Sequence, residues 1–347
     1  MDMKSSVVER YSEGAEAVQP ALCCPVDYDA SLLVMLPKEV IEKDYGCGDP
    51  SRYVQDGDVV LDLGSGSGKI CYMAAQLVGE SGRVIGVDMN DEMLALARKY
   101  QPEMAEKLGA DKVNFVKGQI QDLTHDLDNP ENEEPLIADN SVDLVLSNCV
   151  LNLVNDNDKK QLVEEIFRVV KPGGRIAMSD IVADEAIPDH LKADPELWSG
   201  CISGSFLEDE FLESFKQAGF LAVKCDKWDA EPWQVVEGIE FRSVTITAVK
   251  GADLPCIDKG HAVIYKGPYA EITDDEGHVY YRGKRMAVCE RTYHFLIDGP
   301  YGDDFIGITP SHESEGQLWC APAGTIRPAS ETKGSQHSHA KTGGSCC

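Results

Sequence analysis

Val59-Val60-Leu61-Asp62-Leu63-Gly64-Ser65-Gly66-Ser67-Gly68-Lys69 decides the architecture of this chain. Four apolar β-formers and an acid run into a glycine-rich turn, and a helical pattern follows from Ile70 to Leu77. A strand, a tight turn and a helix make the βα unit that presents backbone N–H groups to a ligand. Glycine lets the chain approach that ligand, because no Cβ stands between them. Two nucleotide motifs fail on counting. A dinucleotide fingerprint needs glycine where Lys69 stands, and a P-loop needs Ser or Thr where Ile70 stands. The pattern left is Asp-x-Gly-x-Gly-x-Gly over 62–68.

The next strand pattern, Arg83-Val84-Ile85-Gly86-Val87-Asp88, ends in an acid. A carboxylate at the carboxyl end of a second strand is placed to accept hydrogen bonds from ribose hydroxyls. Turn and acid together resemble the S-adenosylmethionine site of class I methyltransferases. The alternative is the same turn in some other α/β enzyme. The resemblance implies that Asp62, Gly64, Gly66 and Gly68 belong to the cofactor site, the glycines receiving the methionine part and Asp88 holding the ribose.

At 347 residues the chain has room for a full α/β core and a smaller second unit. Its formal charge of −28 is the reverse of a nucleic-acid binder's footprint, and acidic membranes are disfavoured for the same reason. The stretch from Met1 to Gln19 carries no apolar signal core, and no run is long enough to span a bilayer. A cytosolic location is expected. There, twelve cysteines need another explanation than disulfides. No C-x-x-C and no H-E-x-x-H occurs, which disfavours a zinc ribbon. Doublets stand near both ends, at Cys23-Cys24 and Cys346-Cys347.

The periodicities divide the chain into four parts. Residues 1–55 read as an N-terminal cap with a thiol loop and a helix near Ala30 to Val40. Residues 56–250 read as an S-adenosylmethionine-binding domain. Its further elements are a helix from Asp91 to Tyr100, strands over Val113–Lys117 and Val142–Ser147, and a helix over Lys159–Val170 capped by Asp158. After Lys171-Pro172-Gly173-Gly174 come a strand over Arg175–Val182, a helix over Glu208–Ala218, and closing strands over Phe220–Cys225 and Ser243–Val249. Acidic residues 119–140 are expected to be loop. Residues 251–322 form a small β-rich domain with strands near His261–Tyr265, Val279–Arg282 and Arg285–Cys289. Residues 323–347, with His337, His339, Cys346 and Cys347, read as a disordered tail. The fold class is therefore α/β, a doubly wound seven-stranded methyltransferase sheet with a small β-rich C-terminal domain.

Ligands of open α/β sheets bind beyond the carboxyl ends of the strands, and that rule sorts the thiols. Cys149 follows the fourth strand. Cys201 lies between the fifth strand and the next helix. Cys47, flanked by glycines, precedes the first strand, and Cys23 and Cys24 lie on a proline-flanked loop. Cys71 and Cys225 are expected to be small buried hydrophobes, and Cys256, Cys289 and Cys320 to be structural. Thiolates bind soft ions. Trivalent arsenic takes three sulfurs and keeps a lone pair, which is the nucleophile an in-line methyl transfer needs. Orientation then does the enzyme's work, and no general base is required.

Here the chain resembles arsenite methyltransferases. The resemblance is carried by Tyr45-Gly46-Cys47-Gly48, the glycine turn, Gly86-Val87-Asp88-Met89, Ser147-Asn148-Cys149-Val150-Leu151-Asn152-Leu153 and Leu197-Trp198-Ser199-Gly200-Cys201. It implies that Cys47, Cys149 and Cys201, with Cys23 or Cys24, bind the arsenic and are oxidised in turnover. A thiol reductant such as glutathione or thioredoxin would be the co-substrate. It also implies that Tyr45, Gly64, Asp88, Asn90, Ile120 and Cys149 line the pocket of S-adenosylmethionine. Gly200 stands where the family commonly has an acid. Two other functions are compatible with these residues: methylation of a small organic molecule, and metalloid binding without turnover.

Overall fold

The computed structural model describes residues 3–19, 26–310 and 315–332. The chain divides into two compact units, residues 1–251 and 252–347. The first begins with helices α1 (Met3–Glu16), α2 (Ala30–Leu33) and α3 (Lys38–Glu42), and a 3₁₀ turn over Pro50–Tyr53. Then come β1 (Val59–Leu63), α4 (Lys69–Leu77), β2 (Arg83–Asp88), α5 (Asp91–Leu108), β3 (Val113–Lys117) and β4 (Val142–Asn148). They are followed by α6 (Lys159–Val169), β5 (Val170–Ala183), α7 (Asp189–Lys192), α8 (Pro195–Ser199), β6 (Phe206–Leu207) and α9 (Glu208–Gln217). The strands β7 (Phe220–Trp228), β8 (Gln234–Val236) and β9 (Ile239–Lys250) close the unit.

Seven of these strands form a doubly wound sheet in the order β3-β2-β1-β4-β5-β9-β7. The first five are parallel, and β9 inserts antiparallel between β5 and β7. The short strands β6 and β8 pair with β5 and β9. All five residues of β1 are buried, as a central strand covered on both faces requires. Strand pleat sends Val59, Leu61 and Leu63 into one core with Val145, Leu162 and Ile166. It sends Val60 into the opposite core with Tyr72, Met73, Val84 and Leu144.

Several boundaries differ from the sequence expectation. The helix expected near Ala30–Val40 is two short ones, because Pro37 cannot continue a helix and stands as the N-cap of α3. α5 does not stop at Tyr100. It runs through Pro102, buries Met104, and ends at Gly109. Its N-cap is Asn90, whose side chain accepts from the Met93 N–H at 2.9 Å. Asp158 makes no side-chain cap bond to α6. Cys225 is exposed rather than buried, because β7 is the edge strand of the sheet. Helix α1 had no counterpart in the sequence reading.

In the second unit β14 (Arg285–Ala287), β11 (Ala262–Tyr265) and β15 (Phe305–Ile308) form a three-stranded antiparallel sheet. β12 (Glu271–Thr273) and β13 (Val279–Tyr281) form a hairpin, and β10 (Ile257–Asp258) pairs with β16 (Gln317–Leu318). Helix α10 (Glu290–Ile297) is capped by Cys289. Residues 323–332 do not behave as an unstructured tail. Arg327 is buried, donating to the His261 carbonyl at 3.0 Å and to Asp258 at 2.8 Å. The rest of the expected tail, with His337, His339, Cys346 and Cys347, lies outside the described residues. Two disulfides are present: Cys47–Cys149, from the set that the resemblance implies is oxidised in turnover, and Cys256–Cys320, which departs from the expectation that cysteines outside that set stay unpaired. Among the described residues Cys71, Cys201, Cys225 and Cys289 keep their thiols. No described helix is long and apolar enough to cross a membrane.

Candidate active site

A cleft opens at the carboxyl ends of β1, β2 and β4, where the connectivity of an open sheet places ligands. Its floor is the glycine turn. Gly66 holds φ at +50°, a conformation that disfavours other residues, and a Cβ there would meet nothing within 4 Å. The turn is tied to β2, since the Gly64 and Ser65 N–H groups both donate to the Val87 carbonyl, at 2.8 and 3.0 Å. Gly64 lines the cleft with Gly66. Gly68 does not. It is the N-cap of α4, and a Cβ on it would stand 2.7 Å from the Phe115 ring.

Asp88 closes the cleft at the end of β2. One carboxylate oxygen accepts from the Gly66 N–H and the other from the Asn90 N–H, both at 2.8 Å. Burial raises its pKa against these bonds. Asn90 also donates to the Val8 carbonyl at 3.1 Å and the Ser12 hydroxyl at 3.0 Å, which holds α1 over the cleft. Lys4, Val7, Val8 and Tyr11 of that helix become lining residues. Tyr45, Asn90, Ile120 and Cys149 also line the cleft. The Tyr45 hydroxyl donates to the Gly14 carbonyl at 3.0 Å. Asp62 is elsewhere: it is buried under the turn, accepts from the Cys71 thiol at 3.2 Å, and burial pushes its pKa up to about 7.

Lys69, the residue that failed both nucleotide motifs, is buried. Its ammonium pairs with the Asp44 carboxylate and sits 3.5 Å from the centroid of the Tyr28 ring. A cation at a helix N-terminus opposes the helix dipole, so Asp44 is the compensation. Asp44 in turn accepts from the Gly46 N–H at 3.3 Å. The first turn of α4 is thereby linked to the loop that carries Cys47.

Three of the five expected thiols fall in one part of the fold, but only the sulfurs of Cys47 and Cys149 meet, and Cys201 is not in the group of ligand atoms that lie within 4.8 Å of one another. Cys47, Cys149 and Cys201 share one apolar cluster, and all are buried. Cys47 and Cys149 are joined as a disulfide. The Cys201 thiol donates to the Cys149 carbonyl at 3.1 Å, and the Tyr11 hydroxyl lies 3.8 Å from its sulfur. Burial, then the Cys201 neighbour, pushes the Tyr11 phenol above its ordinary pKa. Cys149 and Cys201 both hold φ at +60°, which is strained for a residue with a Cβ. Of the three, only Cys149 lines the cleft. Cys23 and Cys24 lie outside the described residues.

One member of the constellation had not been singled out. Among the described residues, the sulfurs of Cys47 and Cys149 and a carboxylate oxygen of Asp180 lie within 4.8 Å of one another. Asp180 is fully buried in β5. Burial pushes its pKa up to about 7 against hydrogen bonds from the Ile181 and Leu151 N–H groups at 2.8 and 2.9 Å. An acid inside the apolar run Ile176 to Ala183 was the available signal.

A methyltransferase-domain family model matches residues 54–219, and a domain of unknown function matches residues 252–337. The arsenite methyltransferase of Aquipseudomonas alcaligenes is 34% identical over 326 residues, covering 87% of this chain and 90% of that protein. The arsenite methyltransferase of Mus musculus is 33% identical over 311 residues, covering 85% and 77%. The crystal structure of an arsenic(III) S-adenosylmethionine methyltransferase from Chlamydomonas reinhardtii superposes with a TM-score of 0.55 at 30% identity. It covers 87% of this chain and 99% of that one.

Proposed function

The chain belongs to the arsenite methyltransferase family, whose members depend on S-adenosylmethionine, and we propose that it methylates trivalent arsenic held by the thiolates of Cys47, Cys149 and Cys201. The observation that carries this reading is the position of Cys149, which lines the cleft and touches the other two thiol-bearing residues.

The cleft suits the methyl donor. Open space over Gly66 admits a ligand against the backbone, and the Asp88 carboxylate stands where ribose hydroxyls need an acceptor. Val7, Val8, Met93, Ile120 and Leu153 supply apolar walls, and Asp88 supplies the carboxylate at the end of β2. When bound, S-adenosylmethionine supplies an electrophilic methyl on a sulfonium. The chain's part is to hold a soft nucleophile in line with that methyl and to exclude water. Three thiolates leave one arsenic lone pair for the bond to carbon. Methylation raises arsenic from the trivalent to the pentavalent state. Two of the three bound sulfurs return it to the trivalent state as they leave arsenic and join in an S–S bond, while an external thiolate takes a vacated position so that the methylated arsenic keeps three bonds. The Cys47–Cys149 disulfide is the state such a step leaves. Two external thiols, from glutathione or a thioredoxin, then reduce it and leave as their own disulfide.

Incubation of the reduced protein with arsenite, S-adenosylmethionine and glutathione is expected to give methylated arsenic by chromatography coupled to mass spectrometry. Recovery of unmodified arsenite alone counts against the proposal. Cys149→Ser and Cys201→Ser are expected to lose turnover by more than a hundredfold and to keep donor binding by calorimetry. Turnover of an organic acceptor by both variants would point to the small-molecule methyltransferase reading.

A further inference from the structure

Two sulfurs that chelate one atom must stay together after the bond between them is reduced. In the oxidised protein the Cys47–Cys149 bond holds them, across a sequence separation of 102. In the arsenic-competent form that bond is gone, and only non-covalent contacts keep the loop of Cys47 against the strand end of Cys149.

We infer that Asn148 is the positioning residue that keeps the Cys47 and Cys149 thiols within reach of a single arsenic atom. The purpose rests on the function proposed above. The side-chain oxygen of Asn148 accepts from the Cys47 N–H and the Gly48 N–H, both at 2.9 Å. Its Nδ2 donates to the Gly48 carbonyl at 2.8 Å and to the Tyr28 hydroxyl at 3.3 Å. An amide side chain offers two lone pairs and two N–H groups, so its whole capacity is used, with three bonds on the residues around one sulfur. The next residue along the backbone is Cys149, fixed by its own N–H to the Ser179 carbonyl at 2.8 Å. Both sulfurs therefore hang from one point, the last residue of β4.

Gly46 follows from this clamp, and Gly48 from the packing of the same loop against β5. A Cβ on Gly46 would lie 2.0 Å from Nδ2 of Asn148, and one on Gly48 would lie 2.4 Å from the Ser179 hydroxyl. A side chain at either position forces the loop off the amide. From the other side the Ser243 hydroxyl donates to the Cys47 carbonyl at 2.7 Å. Asn148 thus raises the effective concentration of one thiol at the other, the quantity on which both chelation and disulfide closure depend.

That quantity can be read without arsenic or methyl donor. The full chain and its Asn148→Ala and Asn148→Asp variants would be equilibrated in glutathione redox buffers, and the Cys47–Cys149 fraction quantified by differential alkylation and peptide mass spectrometry. Asn148→Ala is expected to lower the equilibrium constant for closing this disulfide at least tenfold. Its arsenite affinity is expected to fall by at least the same factor, while the Cys256–Cys320 pair does not change. Thermal unfolding and circular dichroism identify folded protein; Asn148 itself lines the donor cleft, so donor binding is not used for this. If Asn148→Ala does not fold, the isosteric Asn148→Asp carries the test, because it keeps the acceptor and loses the donor to Gly48. A folded variant whose equilibrium constant stays within threefold of the parent overturns the inference. Failure of the methylation assay leaves the redox result standing, and the reverse holds as well, so the two proposals fail separately.

Discussion

Asp62 stands near the carboxyl end of β1 with 2% of its surface exposed, and the Cys71 thiol donates to it. Its pKa is pushed up to about 7 by burial, with Asp44 and Asp88 adding repulsion. An unfolded aspartate titrates near ~3.9. Between those values the folded chain holds a proton that the unfolded chain has released, so stability falls as pH rises from about 4 through about 7. Urea unfolding midpoints at pH 5 and pH 8 are expected to separate in the parent. The separation should shrink in Asp62→Asn, whose amide does not ionise. An equal separation in both proteins would show that Asp62 is not the source. Legibility at this scale followed sequence distance. Gly64, Gly66 and Asp88 were readable because turn and strand are neighbours in the chain. Asn148 and Asp180 were not, because their roles come from partners such as Cys47, 101 residues away from Asn148.

The helix α5 shows how an element can outrun its local signals. Pro102 suggests a stop, yet the helix continues because the turn beyond it buries Met104 against the core. It ends at Gly109 with φ at +73°. A Cβ there would meet nothing within 4 Å, so Gly109→Ala pays only for backbone conformation. The expected loss is about 1–2 kcal/mol, measured by chemical unfolding. A neutral result would mean that the cap relaxes out of the left-handed region. The sheet was legible because alternation and buried runs mark strands directly. Helix α1 was not. Its amphipathic pattern is weak, and it is held from outside: Arg10 donates to the Glu196 carbonyl at 2.7 Å and to the Ser199 hydroxyl at 2.9 Å. The long strand β9 was underestimated at its start, where pairing with β8 and β5 extends it to Ile239.

For the whole molecule, the change from alternating β/α pattern to short strands after about Gly251 is the sequence sign of the second unit, whereas cysteine pairing has no such sign. Cys256, Cys289 and Cys320 are expected from the sequence to be structural but without a disulfide, whereas Cys256 and Cys320 are joined across 64 residues. Closing a loop of that length removes about 4 kcal/mol of unfolded-chain entropy. Cys256→Ser and Cys320→Ser are each expected to destabilise the second unit by a large part of that amount, seen as loss of hydrogen-exchange protection in residues 257–332. Protection in the first unit should be unchanged. A loss confined to residues 1–251 would place the effect elsewhere. The acidic character, −28 in formal charge, was legible at once because it needs no geometry.

The left-handed backbone at Cys149 and Cys201 carries a consequence for how this chain can change over time. Each site costs roughly 1–2 kcal/mol for bearing a side chain at all. Serine or alanine would inherit that burden, whereas glycine would shed it. Under the function proposed above, selection to keep both thiols works against a standing bias toward glycine at both places. In descendants released from that selection, these two codons are expected to drift to glycine sooner than Cys47, whose replacement relieves no comparable strain.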